Sequence, residues 1–166
     1  ARAPQDLAMI MYTSGSTGQP KGVMHNFERI SVTADLISQS ILESAGDLKD
    51  YRILSYLPLA HVFERAWVGA ASLTHGETQV FFAESLDTFI QDLNRARPTF
   101  FISVPRLWLK FQQGVFSKMP PAKLDLLLSI PIVKGLVKKK ILKGLGLDQV
   151  VSAGSGSAPL PAELII

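Results

Sequence analysis

Tyr12-Thr-Ser-Gly-Ser-Thr-Gly-Gln-Pro-Lys21-Gly22-Val23 is the stretch on which the fold of this 166-residue chain turns. An apolar, strand-like run from Leu7 to Tyr12 leads into it, and a helical pattern follows over 25–44, where Ile30, Ala34, Ile37 and Ile41 share one face. Within twelve residues the stretch supplies three glycines, the hydroxyls of Thr13, Ser14, Ser16 and Thr17, and the cation of Lys21. Glycines let a backbone fold back and aim successive N–H groups inward, which makes a concave nest for an anion. Polyphosphate is the ligand such a loop suits. A plain Gly/Ser linker would not sit directly between an apolar strand and an amphipathic helix.

Two better-known phosphate loops do not fit. The Gly-x-x-x-x-Gly-Lys-Ser/Thr loop needs glycine before its lysine, where Pro20 stands, and hydroxyl after it, where Gly22 stands. The Gly-x-Gly-x-x-Gly dinucleotide turn fails on the spacing of Gly15, Gly18 and Gly22.

Outward from the loop, strand-like and helix-like segments alternate. Strands are expected at Arg52 to Leu57, Thr78 to Phe82, Thr99 to Val104 and Gln149 to Ala153, the last followed by a small-residue loop over Gly154 to Ser157. Helices are expected over 61–74 with Gly76 as its stop, from an N-cap at Ser85 through Arg97, and from Pro105 to about Lys118. Such alternation, with strands apolar on both faces, predicts an α/β fold whose sheet is mixed, partly parallel and flanked by helices. An apolar helical pattern opens at Pro161 and breaks off after Ile166, so the chain is expected to be one partial domain, 1–166, of a larger enzyme.

Composition narrows the chemistry. With 47% hydrophobic and 19% charged residues the chain can bury a core. It has no cysteine, so no disulfide, thiol nucleophile or Cys-based metal site is available, which fits a reducing compartment. His25, His61 and His75 are too far apart in sequence for an imidazole metal pair. A net charge of +3 does not announce a nucleic-acid partner, and no apolar run is long enough to span a bilayer or serve as a signal peptide. A cytoplasmic setting is expected, with peripheral contact at the inner membrane face as an added possibility. That addition rests on 123–145, where six lysines face one aspartate for a net +5 among leucines, isoleucines and valines. Pro131 and Gly135 are expected to break this segment into short helical pieces. Its bland alternative is an ordinary helix with its lysines in water and its leucines on protein. No visible pattern sets an oligomeric state.

The stretch from Tyr12 to Val23 resembles the phosphate-binding signature of the adenylate-forming, or AMP-binding, enzymes. These comprise acyl- and aryl-CoA synthetases, peptide-synthetase adenylation domains and firefly-type luciferases. Leu57-Pro-Leu-Ala-His-Val-Phe-Glu-Arg65 resembles the segment beside the acyl site in the long-chain fatty acyl-CoA synthetase branch. Ser155-Gly-Ser-Ala-Pro-Leu-Pro161 resembles the loop that cradles adenine. The three motifs span nearly the whole chain.

The resemblance implies a truncated piece of the family's N-terminal domain, from a parent that joins a fatty acid, long-chain in kind by its branch, to coenzyme A. It implies that Thr13, Ser14, Gly15, Ser16, Thr17, Gly18 and Lys21 line the β,γ-phosphates of ATP, with Thr13 also near Mg2+. Lys21 and His61 become the catalytic pair, His61 beside the acyl carboxylate and the α-phosphate. Gly156, Ser157, Ala158 and Pro159 become the adenine wall. Glu64 and Arg65 are expected to form an ion pair at a helix head, and His25 and His75 to be structural. The family's Tyr-Gly-x-Thr-Glu and Thr-Gly-Asp stretches and its C-terminal lysine do not occur in the 166 residues. The segment alone is therefore expected to be inactive. The alternatives are a nucleotide-binding module without activity of its own, or an adenylation domain for an aryl or amino acid.

Overall fold

Leu7 begins β1 (Leu7–Thr13), which pairs antiparallel with β2 (Lys21–Asn26) in a hairpin. The computed structural model describes residues 2–14, 18–46 and 48–164, and these fall into two units, Ala1–Phe82 and Ala83–Ile166.

β2 replaces the expected loop end and first helical turn at 21–26. Each of its residues finds a backbone partner on β1, from Thr13↔Lys21 to Leu7↔Asn26. The following helix, α1 (Phe27–Ala45), therefore starts at Phe27, where Asn26 caps it by accepting from the Arg29 N–H at 2.9 Å. Its inward face carries Ala34, Ser38 and Ile41.

β3 (Tyr51–Ser55) and β4 (Thr78–Phe82) run parallel, as a strand–helix–strand crossover requires. The crossover is helical from 62 to 75 in three consecutive parts: α2 (Val62–Glu64), a π-helical turn (Arg65–Ala71) and α3 (Ser72–His75). Wide turns of this kind are frequent near functional sites. Here Ser72 and Thr74 donate back to the carbonyls of Val68 and Ala70. Gly76 ends the segment in the left-handed region at φ 73°, its N–H on the Ser72 carbonyl at 3.0 Å. The core of this unit is Ala34, Ile41, Tyr51, Leu54, Val68 and Ala71.

The second unit holds α4 (Phe89–Ala96), β5 (Phe100–Ser103), α5 (Pro105–Lys118), α6 (Pro121–Ser129), α7 (Pro131–Leu145) and β6 (Ser152–Ser155), then a 3-10 turn at Ala162–Leu164. β5 and β6 are parallel, so among the described residues two of the three strand pairs are parallel and one antiparallel, as the mixed α/β expectation has it. Phe89, Leu93, Phe101 and Phe111 form the core, with Trp108 edge-on to Phe101 at 5.3 Å between ring centroids.

Three expected boundaries move. α4 starts later than expected, with Thr88 at the cap position and no side-chain cap hydrogen bond there, while Asp92 accepts from the Thr88 hydroxyl at 2.8 Å and the Glu84 N–H at 3.0 Å. The expected cap Ser85 still accepts from the Thr88 N–H at 3.2 Å, and its own N–H donates to the Thr88 hydroxyl, across the turn before the helix. Gly135 does not break α7, which Pro131 starts and which runs unbroken to Leu145. An interior glycine costs only about 1 kcal/mol, and contacts with α6 and α4 hold the helix together. The last strand lies at Ser152–Ser155 rather than Gln149–Ala153, because its register is set by Phe100↔Ser152 and Ser103↔Ser155.

The segment between α7 and β6 is fastened to the end of α4. Arg97 makes a two-pronged ion pair with Asp148, with its Nε at 3.2 Å from one carboxylate oxygen. The Arg97 hydrogen bond holds the Asp148 carboxyl below the ordinary aspartate range. This pair contributes stability above about pH 4 that is lost as pH falls further, since only the ionised acid gains the partner. Asp148→Asn is expected to cost under about 1 kcal/mol at pH 7, because Arg97 is half exposed, and to converge on wild type below about pH 3 in urea melts. A gap that widens on acidification would contradict this.

Candidate functional site

The hairpin fixes where the phosphate-loop residues stand. Thr13 closes β1 and Lys21 opens β2 directly opposite, and the Thr13 hydroxyl lies 3.5 Å from the Lys21 carbonyl. Ser14, Gly18 and Lys21 are exposed. Gly18 occupies φ +77° with nothing within 4 Å of an added Cβ: the conformation, not crowding, demands glycine there. At Gly22 the reason is crowding, since a Cβ would meet the Ile10 side chain at 2.8 Å. Gly15, Ser16 and Thr17 lie outside the described residues.

Among the described residues, the Lys21 cation and the hydroxyls of Thr13 and Ser14 stand at one hairpin end, a set that suits a triphosphate. For magnesium the fit is partial. Thr13 offers a hydroxyl oxygen, but among the described residues no group of three His, Asp or Glu side chains could hold a metal ion. An ion carried by ATP would take Thr13 and phosphate oxygens here.

His61 caps α2. Its Nδ1 accepts from the Phe63 N–H at 3.3 Å, which leaves the Nε2 side of an exposed ring available. Three residues on, Glu64 is buried and does not pair with Arg65 as expected. Its carboxylate accepts from the Ser55 hydroxyl at 2.6 Å and the Tyr56 N–H at 3.1 Å, tying the crossover helix to the end of β3. Arg65 donates instead to the Leu59 carbonyl at 3.1 Å. The His61 loop is thus clamped from both sides, by Glu64 on the strand and by Arg65 on the 57–60 turn.

Burial, the largest effect, raises the Glu64 acid above the ordinary glutamate range, against the opposing pull of Ser55, the Tyr56 and Leu57 amides and His61. An acid raised by the fold binds its proton more tightly when folded, so stability declines as pH rises above about 4.3. Glu64→Gln keeps an acceptor for Ser55 and Tyr56 and cannot ionise. Its stability relative to wild type is expected to improve as melts move from pH 4 to pH 8, and the opposite trend would refute the assignment. Glu64→Leu, which removes the acceptor of the buried Ser55 hydroxyl, should cost about 2 kcal/mol.

Gly156, Ser157, Ala158 and Pro159 follow β6 at the C-terminal end of the parallel β5–β6 pair, the end where ligands bind in open α/β sheets. The Gly156 N–H donates to the Ser103 carbonyl at 3.0 Å, and Ser157 sits at φ 69°, a strained setting for a serine. Gly154 passes close to Ile102, with an added Cβ at 3.4 Å from its Cγ2. Small residues thus keep this backbone low, and Ser157, Ala158 and Pro159 are exposed. The phosphate-loop residues and His61 belong to the first unit, the Gly156–Pro159 loop to the second. A cleft of about 80 Å³ in the first unit, lined by Met9, Met11, His25 and Ala66 among others, was not expected from sequence.

Known proteins bear directly on this geometry. The family model described as AMP-binding enzyme matches residues 1–166. Fatty acyl-CoA synthetase A of Dictyostelium discoideum is 33% identical over 98% of this chain and 26% of its own length. Long chain acyl-CoA synthetase 4 of Arabidopsis thaliana is 40% identical over 69% of this chain and 17% of its own length. Among solved structures, the A domain of carboxylic acid reductase from Segniliparus rugosus, in complex with AMP and a co-purified carboxylic acid, superposes with a TM-score of 0.72. It is 30% identical, over 97% of this chain and 25% of that one. The chain spans about a quarter or less of the length of the curated relatives it matches.

Proposed function

The chain belongs to the AMP-binding enzyme family, and from that premise we propose that it is the nucleotide-binding segment of an ATP-dependent ligase joining a long-chain fatty acid to coenzyme A. The observation that carries this is the hairpin end, where Thr13 and Lys21 face each other across the loop and Lys21 is free to reach a departing pyrophosphate. The long-chain choice is supported by the Arabidopsis relative, a long chain acyl-CoA synthetase by name, and the fatty-acid choice by the Dictyostelium relative, a fatty acyl-CoA synthetase by name.

The proposed chemistry has two steps. A carboxylate oxygen of the acid attacks the α-phosphorus of ATP, and the bond to the β-phosphate oxygen breaks, giving acyl-adenylate and pyrophosphate. The coenzyme A thiol, losing its proton, then attacks the acyl carbon, and AMP leaves with the carboxyl oxygen it had gained. Lys21 with the loop donors of 13–18 neutralises charge on the leaving pyrophosphate. His61 donates from Nε2 near the carboxylate and α-phosphate, its ring oriented by the Phe63 N–H. The Gly156–Pro159 backbone gives adenine a flat wall, and magnesium, when bound with ATP, adds further charge neutralisation beside Thr13. The proposed setting is the cytoplasm.

A second possibility shares the first step. The carboxylic acid reductase neighbour is an A domain in complex with AMP and a carboxylic acid, which favours adenylation of an acid as the shared step. Pyrophosphate exchange into ATP by the intact protein tests both. Exchange that depends on palmitate, followed by palmitoyl-CoA formation, is expected. Exchange only with aryl or amino acids, or none, would overturn the fatty-acid assignment. The isolated 1–166 segment is expected to make no acyl-CoA.

A further inference from the structure

Glu64 is buried, only 2% exposed, and no step of the proposed chemistry uses it. It stands three residues after His61, which caps α2, so it holds the position from which a helix-opening glutamate turns back to the amide of its cap residue. That amide is already taken, because the His61 N–H donates to the Pro58 carbonyl at 2.8 Å. The Glu64 carboxylate reaches past it to the end of β3, where one oxygen accepts from both the Ser55 hydroxyl and the Tyr56 N–H. Residues 56–61 therefore form a loop whose neck is closed by this side chain. On the helix side, the Arg65 N–H donates to the His61 carbonyl at 3.0 Å. Tying a helix to a strand does not call for an acid. An amide would accept from the same donors without the cost of burying an ionisable group. What this place adds is His61, the last residue of the loop that Glu64 closes.

We propose that Glu64 is a positioning residue for His61 in the adenylation step: its hydrogen bond to Ser55 sets where the His61 ring stands against the reacting carboxylate and α-phosphate. The proposal rests on the ligase reading for the atoms that His61 faces. The ring itself is lightly held. Its Nδ1 accepts from the Phe63 N–H at 3.3 Å, longer than an ordinary N–H hydrogen bond, so the ring takes its direction from the backbone around it. The helix does not fix that backbone alone, since its first turn (Val62–Glu64) gives way at once to the wider π-helical turn at Arg65. What anchors the first turn is the grip of Glu64 on β3. Ser55 is a fixed point for that grip, as the last residue of the strand, paired in register with Phe82 of β4. A donor displaced by about 1 Å can cost up to about 100-fold in rate. Glu64 is enclosed by protein and does not itself reach a substrate, so its effect on rate passes through His61.

The test uses the intact protein and two readouts. Acid-dependent pyrophosphate exchange, measured per folded molecule, compares Glu64→Leu, Ser55→Ala, Glu64→Gln and His61→Ala with wild type. Glu64→Leu should lower kcat at least about tenfold and Ser55→Ala severalfold, with the KM for ATP within about twofold. Glu64→Gln, which still accepts from Ser55 and Tyr56, should stay within about threefold of wild type. With His61 already alanine, neither Glu64→Leu nor Ser55→Ala should lower kcat by more than about twofold, because the group they aim is gone. Ser55→Ala decides the matter should Glu64→Leu fail to fold. An unchanged kcat in Ser55→Ala, or losses that multiply in full when His61 is alanine, would leave Glu64 a structural tie and overturn the proposal. The second readout needs no substrate. Ring nitrogen shifts of His61 at about pH 8.5, above the ordinary imidazole range, should show one tautomer with its proton on Nε2 in wild type and Glu64→Gln. In Glu64→Leu and Ser55→Ala they should move toward the averaged values of a free imidazole, and identical shifts in all four proteins would overturn the proposal. Absence of exchange with any acid by wild type would refute the ligase reading instead, and the ring shifts would then decide the positioning role by themselves.

Discussion

Lys21→Ala in the intact protein should lower acid-dependent pyrophosphate exchange roughly 100-fold, the scale of losing one preorganised donor to developing charge. Its cost in stability should stay within about 0.5 kcal/mol, because the side chain is exposed and makes no ion pair among the described residues. Strand pairing is spared as well, since Thr13↔Lys21 uses the backbone. Gly18→Val should act alike through geometry: a β-branched residue is not tolerated at φ +77°, so the loop amides turn away from the phosphates. A folded Lys21→Ala protein exchanging at the wild-type rate would remove the lysine from the chemistry.

Gly146→Ala should be the most damaging single-methyl change in the second unit. Gly146 caps α7 at φ 74°, its N–H on the Leu142 and Lys143 carbonyls. A Cβ there would stand 2.5 Å from the Leu93 carbonyl carbon and 2.6 Å from the Asn94 nitrogen, both backbone atoms of α4 that cannot rotate aside. Left-handed strain adds about 1 kcal/mol and overpacking about 1–3 more, so a loss near 3 kcal/mol is expected in chemical melts. Gly135→Ala is the control. Nothing lies within 4 Å of its Cβ position, so the same methyl in the same helix should stabilise by about 1 kcal/mol. Equal effects at the two glycines would refute the packing of α7 on α4.

Local signals that act within a few residues were legible in the sequence. α5 runs from Pro105 to Lys118 as expected, because a proline at the first helical position needs no partner elsewhere. β4 lies at Thr78–Phe82 as expected, a compact apolar run after a left-handed glycine. What escaped depends on residues distant in sequence. β2 has a lysine, a glycine and an asparagine among its six residues and is a strand only because β1 supplies its ladder. β6 is Ser-Ala-Gly-Ser, poor in strand formers, and is held by β5 some fifty residues earlier. Glu64 sits beside Arg65 in sequence, which suggests an ion pair, whereas its partners Ser55 and Tyr56 come from the preceding strand end. Of the candidate site, the glycine positions and the cap role of His61 are explained by local geometry. The burial of the glutamate behind His61 follows from packing.

The central claim, that the β1–β2 hairpin end receives the polyphosphate of ATP, is tested most directly on the backbone amides themselves. Amide chemical shifts of the intact protein, titrated with Mg-ATP and separately with adenosine, distinguish phosphate from base. Mg-ATP should move Thr13, Ser14, Gly18 and Gly22, and adenosine should leave those four in place while moving Gly156 and Ser157. Shifts confined to Gly156–Pro159 under both ligands, with the hairpin amides unmoved by Mg-ATP, would contradict the account.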